Sequence, residues 1–244
     1  MFPPEQRDRT QAQLLAHAEA DDSIVGFALT GSHATGDGDR WSDTDIVLAV
    51  RGEVPEAVQQ WTAWIYDEFG ARHHWDLGAG GAGVIRVFLL PGWVELDVNF
   101  SPESEFGARG PQWRTVFGSP RAQPPFAPPH RNTLVGLTWH HALHARICIE
   151  RDRPWQAAHW INALRDQLIA LACLRLGLPI AYSKGAHLLP EEVTAPLEPT
   201  LVRSLTAPEL RRALSATITA ATAELDLSAP ELAPRLRPML MELA

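Results

Sequence analysis

Several residue types are scarce in this chain, and each scarcity narrows the class of protein. Among 244 residues only Cys148 and Cys173 could form disulfides. A disulfide framework is therefore excluded, and we expect both thiols to be small buried groups in a reducing compartment. No apolar run reaches the roughly 18 residues of a membrane helix. The residues after Met1 also lack the apolar core of a signal peptide, so we predict a cytoplasmic protein with no membrane partner.

Basic residues are also in the minority. The chain has 21 basic and 29 acidic residues, for a net charge of −8. A protein that coats phosphates needs a basic face, so this balance argues against nucleic acid as a partner. It mildly favours a cationic substrate. The composition is otherwise that of a globular protein and sets no oligomeric state.

The first half of the chain alternates short apolar runs with helical segments. Strands are predicted at 24–29, 45–50, 84–90 and 93–100, and helices at 5–20 and 55–69. Pro91-Gly92 indicates a hairpin between the last two strands, and 31–42 is rich in Gly, Asp and Ser and therefore mostly loop. We predict an α/β (α+β) domain with a mixed sheet over residues 1–118.

The second half has a different pattern. Residues 119–131 are predicted to be a stiff linker, because five prolines fall within 119–129. Beyond them no strand pattern is convincing. Helices are predicted at 133–150, 155–176, 200–204 and 208–225, with a short one near Met239. Residues 132–244 are therefore predicted to be an all-α helical-bundle domain.

One stretch combines a tight turn with paired carboxylates. A predicted strand runs into Gly31-Ser32, and Asp43 and Asp45 open the next strand. Residues i and i+2 of a strand point to the same face, so the two carboxylates are expected side by side. Hard cations such as Mg²⁺ prefer such oxygens. Gly31 allows close backbone approach, and Ser32 is expected to cap a short helix and offer donors to a phosphate.

A third carboxylate is expected from a neighbouring strand. Glu95, Asp97 and Asn99 share one face of the strand that ends at Phe100. A charge among such apolar neighbours is costly unless it is paired or bound to a metal. Asp97 is the candidate because it lies in the middle of the strand.

The stretch GSHATGDGDRWSDTDIVLAV resembles the signature of the polymerase-beta-type nucleotidyltransferase superfamily. The resemblance covers residues 20–100 and points to the small-molecule branch, the aminoglycoside and lincosamide nucleotidyltransferases, which adds a helical C-terminal domain. It implies that Gly31 and Ser32 hold the nucleoside triphosphate. It also implies that Asp43 and Asp45 bind Mg²⁺, with two ions expected.

The same resemblance implies a role for Asp97 as third metal ligand or general base. The reaction expected is transfer of AMP from ATP, or of another nucleotidyl group from an NTP, to a hydroxyl of a small polar acceptor, with an aminoglycoside-like antibiotic as the candidate. Family members often have Arg where this chain has Thr35, so one phosphate contact is missing or supplied elsewhere. Lys184, the single lysine, is a candidate triphosphate contact from the helical half, with a chance surface lysine as the alternative.

The sequence also allows other interpretations of the function and of individual residues. A non-catalytic, antitoxin-like or regulatory protein of the same fold would carry the same turn. His140, His144 and Cys148 share a helix face that could bind zinc, although core packing is the expected role. Trp41 either stacks on a ligand ring or anchors its loop in the core. The Gly-rich run 78–83 is expected to be a turn between strands rather than a dinucleotide site.

Overall fold

The computed structural model describes residues 4–78 and 81–244. The chain divides into two compact units, Met1–Phe126 and Ala127–Ala244. The first is built on a six-stranded mixed sheet, and the second is helical wherever it has regular secondary structure in its described residues. The predicted fold class, an α/β domain with a mixed sheet followed by an all-α domain, is confirmed.

The first unit arranges its strands out of chain order. Its helices are α1 (Pro4–Ala20), α2 (Ser32–Thr35) and α3 (Val54–Phe69). Its strands are β1 (Ile24–Thr30), β2 (Thr44–Val50), β3 (His73–Gly78), β4 (Val84–Leu90), β5 (Val94–Pro102) and β6 (Trp113–Phe117). The order across the sheet is β3-β4-β5-β2-β1-β6. Only the central pair β2–β5 is parallel among the described pairs, so the chain has to cross over between β2 and β5.

The alternation of side chains gives the two sheet faces different roles. Even-numbered positions of β2 and β5, such as Ile46 and Leu96, are buried in one core with Leu14 of α1 and Trp61 of α3. Odd-numbered positions point to the other face, because successive strand residues alternate. The helices thus cover one face, and the polar positions of β2 and β5 lie on the other.

Four details differ from the expectations drawn from sequence. Strands β3 and β6 were not predicted, and both lie at the edges of the sheet. Trp93 is not in a strand: it has a positive φ of 68° in the turn before β5. Residues 201–204 are not helical, and the preceding segment Ala195–Thr200 is a 3₁₀ helix. The Gly-rich run does separate β3 from β4, with Ala79 and Gly80 outside the described residues.

The second unit is built around long helices. Its helices are α4 (Arg131–Glu150), α5 (Pro154–Leu176), α6 (Glu191–Thr194), α7 (Ala207–Ser228) and α8 (Ala233–Met241). Fully buried Ala142, Ile161 and Ile218, from α4, α5 and α7, belong to one core. No regular element covers residues 118–130. Among the helices that the structure describes, none has the length and apolar character needed to cross a membrane.

Candidate active site

Gly31 occupies the turn between β1 and α2. Its backbone has φ 64° and ψ −151°, which side-chain-bearing residues rarely adopt. A Cβ at this position would also overlap Oδ2 of Asp45. Glycine is therefore required twice, by backbone conformation and by the approach of the carboxylate.

The expected capping role of Ser32 is wrong. The N-cap of α2 is Gly31, and no side chain makes a cap hydrogen bond there. The turn bends one residue earlier than expected because Gly31 adopts the positive φ. Ser32 is the first residue of the helix, and its carbonyl accepts a hydrogen bond from the Asp37 amide at 3.0 Å. Its hydroxyl is thus not committed to capping α2.

Asp45 and Asp97 are brought together by strand pairing. The two residues are direct partners in the parallel β2–β5 pair. Adjacent strands lie about 4.8 Å apart, and paired residues point to the same face, so the carboxylates are neighbours. Both side chains are half-buried, whereas Asp43, just before β2, is exposed. Asp45 and Asp97 therefore lie side by side on one sheet face, with Asp43 immediately before the start of β2.

The loop before Asp43 is shaped by one aspartate. Oδ1 of Asp39 accepts hydrogen bonds from the Trp41 amide at 2.8 Å and the Ser42 hydroxyl at 3.1 Å. The Asp39 amide in turn donates to the Ser42 hydroxyl oxygen at 2.9 Å. The hydrogen bond from the Trp41 amide is the main cause that lowers the pKa of the Asp39 carboxyl. Local hydrogen bonds thus set the conformation of the chain that delivers Asp43 to β2.

Comparison with known proteins identifies this arrangement. Residues 13–79 match the family model described as the nucleotidyltransferase domain. The first unit contains a nucleotidyltransferase domain. The predicted polymerase-beta-type relationship and the predicted enzyme class are thereby confirmed at the level of nucleotidyl transfer. The matched segment includes the Gly31 turn, Asp43 and Asp45, and it ends before Asp97.

One solved structure is similar over most of the chain. An aminoglycoside 6-adenyltransferase from Bacillus subtilis aligns with 94% of this chain and 95% of its own, at 12% identity and a TM-score of 0.38. No curated protein sequence matches the chain.

A small cavity lies beside Asp43 in the nucleotidyltransferase domain. Its volume is about 180 Å³, and its lining residues are Arg7, Trp41, Ser42, Asp43, Trp93, Val94 and Glu95. Trp41 is 57% exposed, so the expectation of an anchor in the core is wrong. The Arg40 guanidinium lies 4.6 Å from the centroid of the Trp41 ring. Trp41 and Trp93, which is 81% exposed, supply aromatic surface next to the carboxylates.

Two residues near this cavity were missed in the sequence. Arg7 lies in α1, outside any motif, and no signal in the sequence singles it out. Glu95 was recognised on the same face of β5 as Asp97 but was not selected, because Asp97 lies nearer the middle of the strand. His33 of α2 also belongs to this region: burial chiefly, and then the charge of Arg7, lowers the pKa of its imidazole, while Asp43 opposes the shift. We therefore expect a neutral His33 at neutral pH.

The donor set suits a hard cation that shares its coordination with a ligand. Carboxylate oxygens of Asp43 and Asp45 are the ligands that Mg²⁺ prefers. Within residues 4–78 and 81–244, no three His, Cys, Asp or Glu residues converge into a complete metal cage. Mg²⁺ in nucleotide enzymes is commonly held by one or two carboxylates together with substrate phosphates, so a complete cage is not required. The residues fit the cation on the chemistry of their side chains.

The second unit holds the other residues singled out in the sequence. Lys184 is exposed and follows the 3₁₀ turn Ala181–Ser183, in which Tyr182 and Ser183 have positive φ. His140 and His144 have ring centroids 4.3 Å apart, and Cys148 is buried. The described residues contain no three-residue zinc cluster there. Both rings instead pack around Trp160 together with His141 and His159.

Proposed function

We propose that the chain transfers AMP from ATP to a hydroxyl group of a small polar acceptor, with an aminoglycoside-like antibiotic as the candidate, in the cytoplasm. The observation that carries the proposal is the pairing of Asp45 with Asp97 directly beside the Gly31 turn. The net charge of −8 supports a cationic acceptor. Other nucleoside triphosphates are alternatives that the assay below compares.

Each residue of the site has a proposed role. The Gly31-Ser32 turn and the start of α2 would bind the triphosphate, and Asp43 and Asp45 would hold Mg²⁺. Bound Mg²⁺ neutralises negative charge on the transferring and leaving oxygens. Asp97 would accept the proton of the acceptor hydroxyl or serve as a third metal ligand. The hydroxyl oxygen then forms a bond to the α-phosphorus as the bond to the pyrophosphate oxygen breaks, and pyrophosphate leaves.

A labelled-nucleotide screen tests this proposal. The full chain would be incubated with Mg²⁺, each of the four NTPs and a panel of aminoglycosides, lincosamides and other hydroxylated small molecules. We expect pyrophosphate release together with a nucleotidyl mass shift on one acceptor class, and no product with Asp45→Asn. Nucleotide transfer to RNA but to no small molecule would contradict the proposed acceptor class.

A non-catalytic, regulatory protein is the second candidate function. The observation that favours it is that Asp43, one of the two proposed Mg²⁺ ligands, is exposed and lies outside β2, so strand pairing does not hold it beside Asp45. This function predicts binding of Mg-ATP in calorimetry with no pyrophosphate released for any acceptor. The proposed enzyme instead requires both binding and turnover.

A further inference from the structure

Arg7 is a buried cation at the edge of the candidate active site. Its side chain lines the cavity that also contains Asp43 and Glu95, and only 8% of the residue is exposed. One guanidinium nitrogen, Nη1, donates to the backbone carbonyl of Asp39. Arginine is rarely buried to this extent unless an anion meets it. The position of Arg7 therefore calls for an explanation beyond packing.

Other residues of the protein satisfy the charge and the hydrogen-bond donors of the Arg7 guanidinium only in part. Among the described residues, no carboxylate lies within ion-pair distance of the Arg7 guanidinium. The Nε atom of Arg7 is buried, and no hydrogen-bond partner for it lies among the described residues. A guanidinium carries five N–H donors, and a buried charge that is not paired is costly. Such a group suits an incoming anion with several oxygens.

The residues around Arg7 indicate which class of anion it would bind. Arg7 is close enough to His33, in the short helix after the Gly31 turn, to affect its imidazole electrostatically. It also lines the same cavity as Ser42 and Asp43. The guanidinium is therefore close both to the helix that follows the triphosphate turn and to a carboxylate assigned to Mg²⁺.

We propose that Arg7 binds the polyphosphate of the nucleotide. This inference rests on the proposed nucleotidyl transfer. The hydrogen bond to Asp39 gives a competing role, in which Arg7 only positions the loop that leads to Asp43. The two roles differ in their effects: a phosphate contact changes affinity for polyphosphate with or without Mg²⁺, whereas a positioning contact acts through Mg²⁺ held at Asp43 and leaves Mg²⁺-free binding unchanged.

Calorimetry with the full chain separates them. We would measure dissociation constants for pyrophosphate, ATP and AMP, with and without Mg²⁺ and always without acceptor, for the wild type, Arg7→Met and Arg7→Lys. Arg7→Met should weaken pyrophosphate and ATP binding about tenfold or more, and AMP binding less, because a charge-assisted hydrogen bond is lost. Arg7→Lys should recover part of the loss. Arg51→Met, at an exposed position after the far end of β2, is the matched control and should bind like the wild type.

The outcomes are separable. Mg²⁺-free pyrophosphate affinity within about twofold of wild type in a folded Arg7→Met variant overturns the inference, and a loss confined to Mg²⁺-dependent binding or turnover would make Arg7 a positioning residue. If Arg7→Met does not fold by circular dichroism, Arg7→Lys decides, because an ammonium cannot reproduce the guanidinium contacts: unchanged affinity there overturns the inference. A wild-type chain that binds no nucleotide overturns the proposed function first, and that failure is visible without any variant.

Discussion

The two units of this chain place their polar residues in different kinds of structure. In the first unit the candidate functional groups lie at the Gly31 turn, at Asp43 just before β2, and on the paired strands β2 and β5. In the second unit the densest polar cluster, four histidines around Trp160, lies on two regular helices. Irregular backbone requires particular residue types, whereas a helix accepts most residues. The chemistry of the first unit is therefore far easier to infer from sequence.

The largest effect is expected from the paired carboxylates of the first unit. Asp45→Asn or Asp43→Asn should lower Mg²⁺-dependent turnover by about a thousandfold or more, because a metal-binding charge is removed. Steady-state kinetics with pyrophosphate detection measures the loss. The circular dichroism spectrum should stay that of the wild type. Turnover at the wild-type rate in either variant would refute the assignment of the site.

A smaller loss of turnover is expected when Asp97 is replaced. If this carboxylate is a ligand or base, Asp97→Asn should reduce kcat by about a hundredfold. Asn99→Asp, a change on the same face of β5, is a useful contrast, since it adds a carboxylate beside the site without removing one. Increased thermal stability with an unchanged rate in Asp97→Asn would make Asp97 only a costly charge.

A severalfold change in the KM for ATP is expected from substitution of Lys184 in the second unit. Lys184→Ala should raise the KM for ATP severalfold if the ammonium contacts a phosphate oxygen, and Lys184→Arg should restore it only in part. Arg203→Ala tests whether loss of any exposed cation in this unit does the same. ATP kinetics identical to wild type in Lys184→Ala would exclude Lys184 as a nucleotide contact.

The smallest effect is a pH dependence of stability in the second unit. Burial chiefly lowers the pKa of His141, and the charges of His140, His144 and His159 lower it further, while a hydrogen bond with the Ala163 backbone opposes the shift. Unfolding restores a pKa near 6.5, so below that pH the unfolded chain binds the proton more readily. Neutral His141 therefore contributes to the free energy of unfolding above about pH 6.5, and this contribution is lost as the pH falls towards the lower pKa of the folded state.

Thermal unfolding at pH 7.5 and pH 5 measures this effect in a pair of variants. His141→Phe keeps an aromatic ring beside Trp160 but cannot be protonated, so its melting temperature should fall less on acidification than that of the wild type. His187→Ala, at an exposed histidine outside the cluster, should follow the wild type. Equal losses in His141→Phe and wild type would exclude His141 as the source.

Elements with strong local signals were predicted well, and edge strands were not. β2 and β5 are central and buried, so their apolar residues stand out. β3, with the sequence HHWDLG, and β6 pair with one neighbour each and stay largely accessible, so their sequences need little apolar character. The helix expected at 200–204 fails because Arg212 of α7 donates to the carbonyls of Pro199 and Leu201 at 2.6 and 2.8 Å, which stabilises a non-helical backbone.

The sequence by itself determined the parts of the site that depend on neighbours along the chain. Glycine at position 31 allows the turn, and alternation along each strand decides which sheet face Asp45 and Asp97 take. The register that pairs Asp45 with Asp97, and the contact of Arg7 with a carbonyl 32 residues away, were decided only by the tertiary structure. Such contacts depend on how distant segments pack, and packing energy is a property of the whole fold rather than of any short stretch.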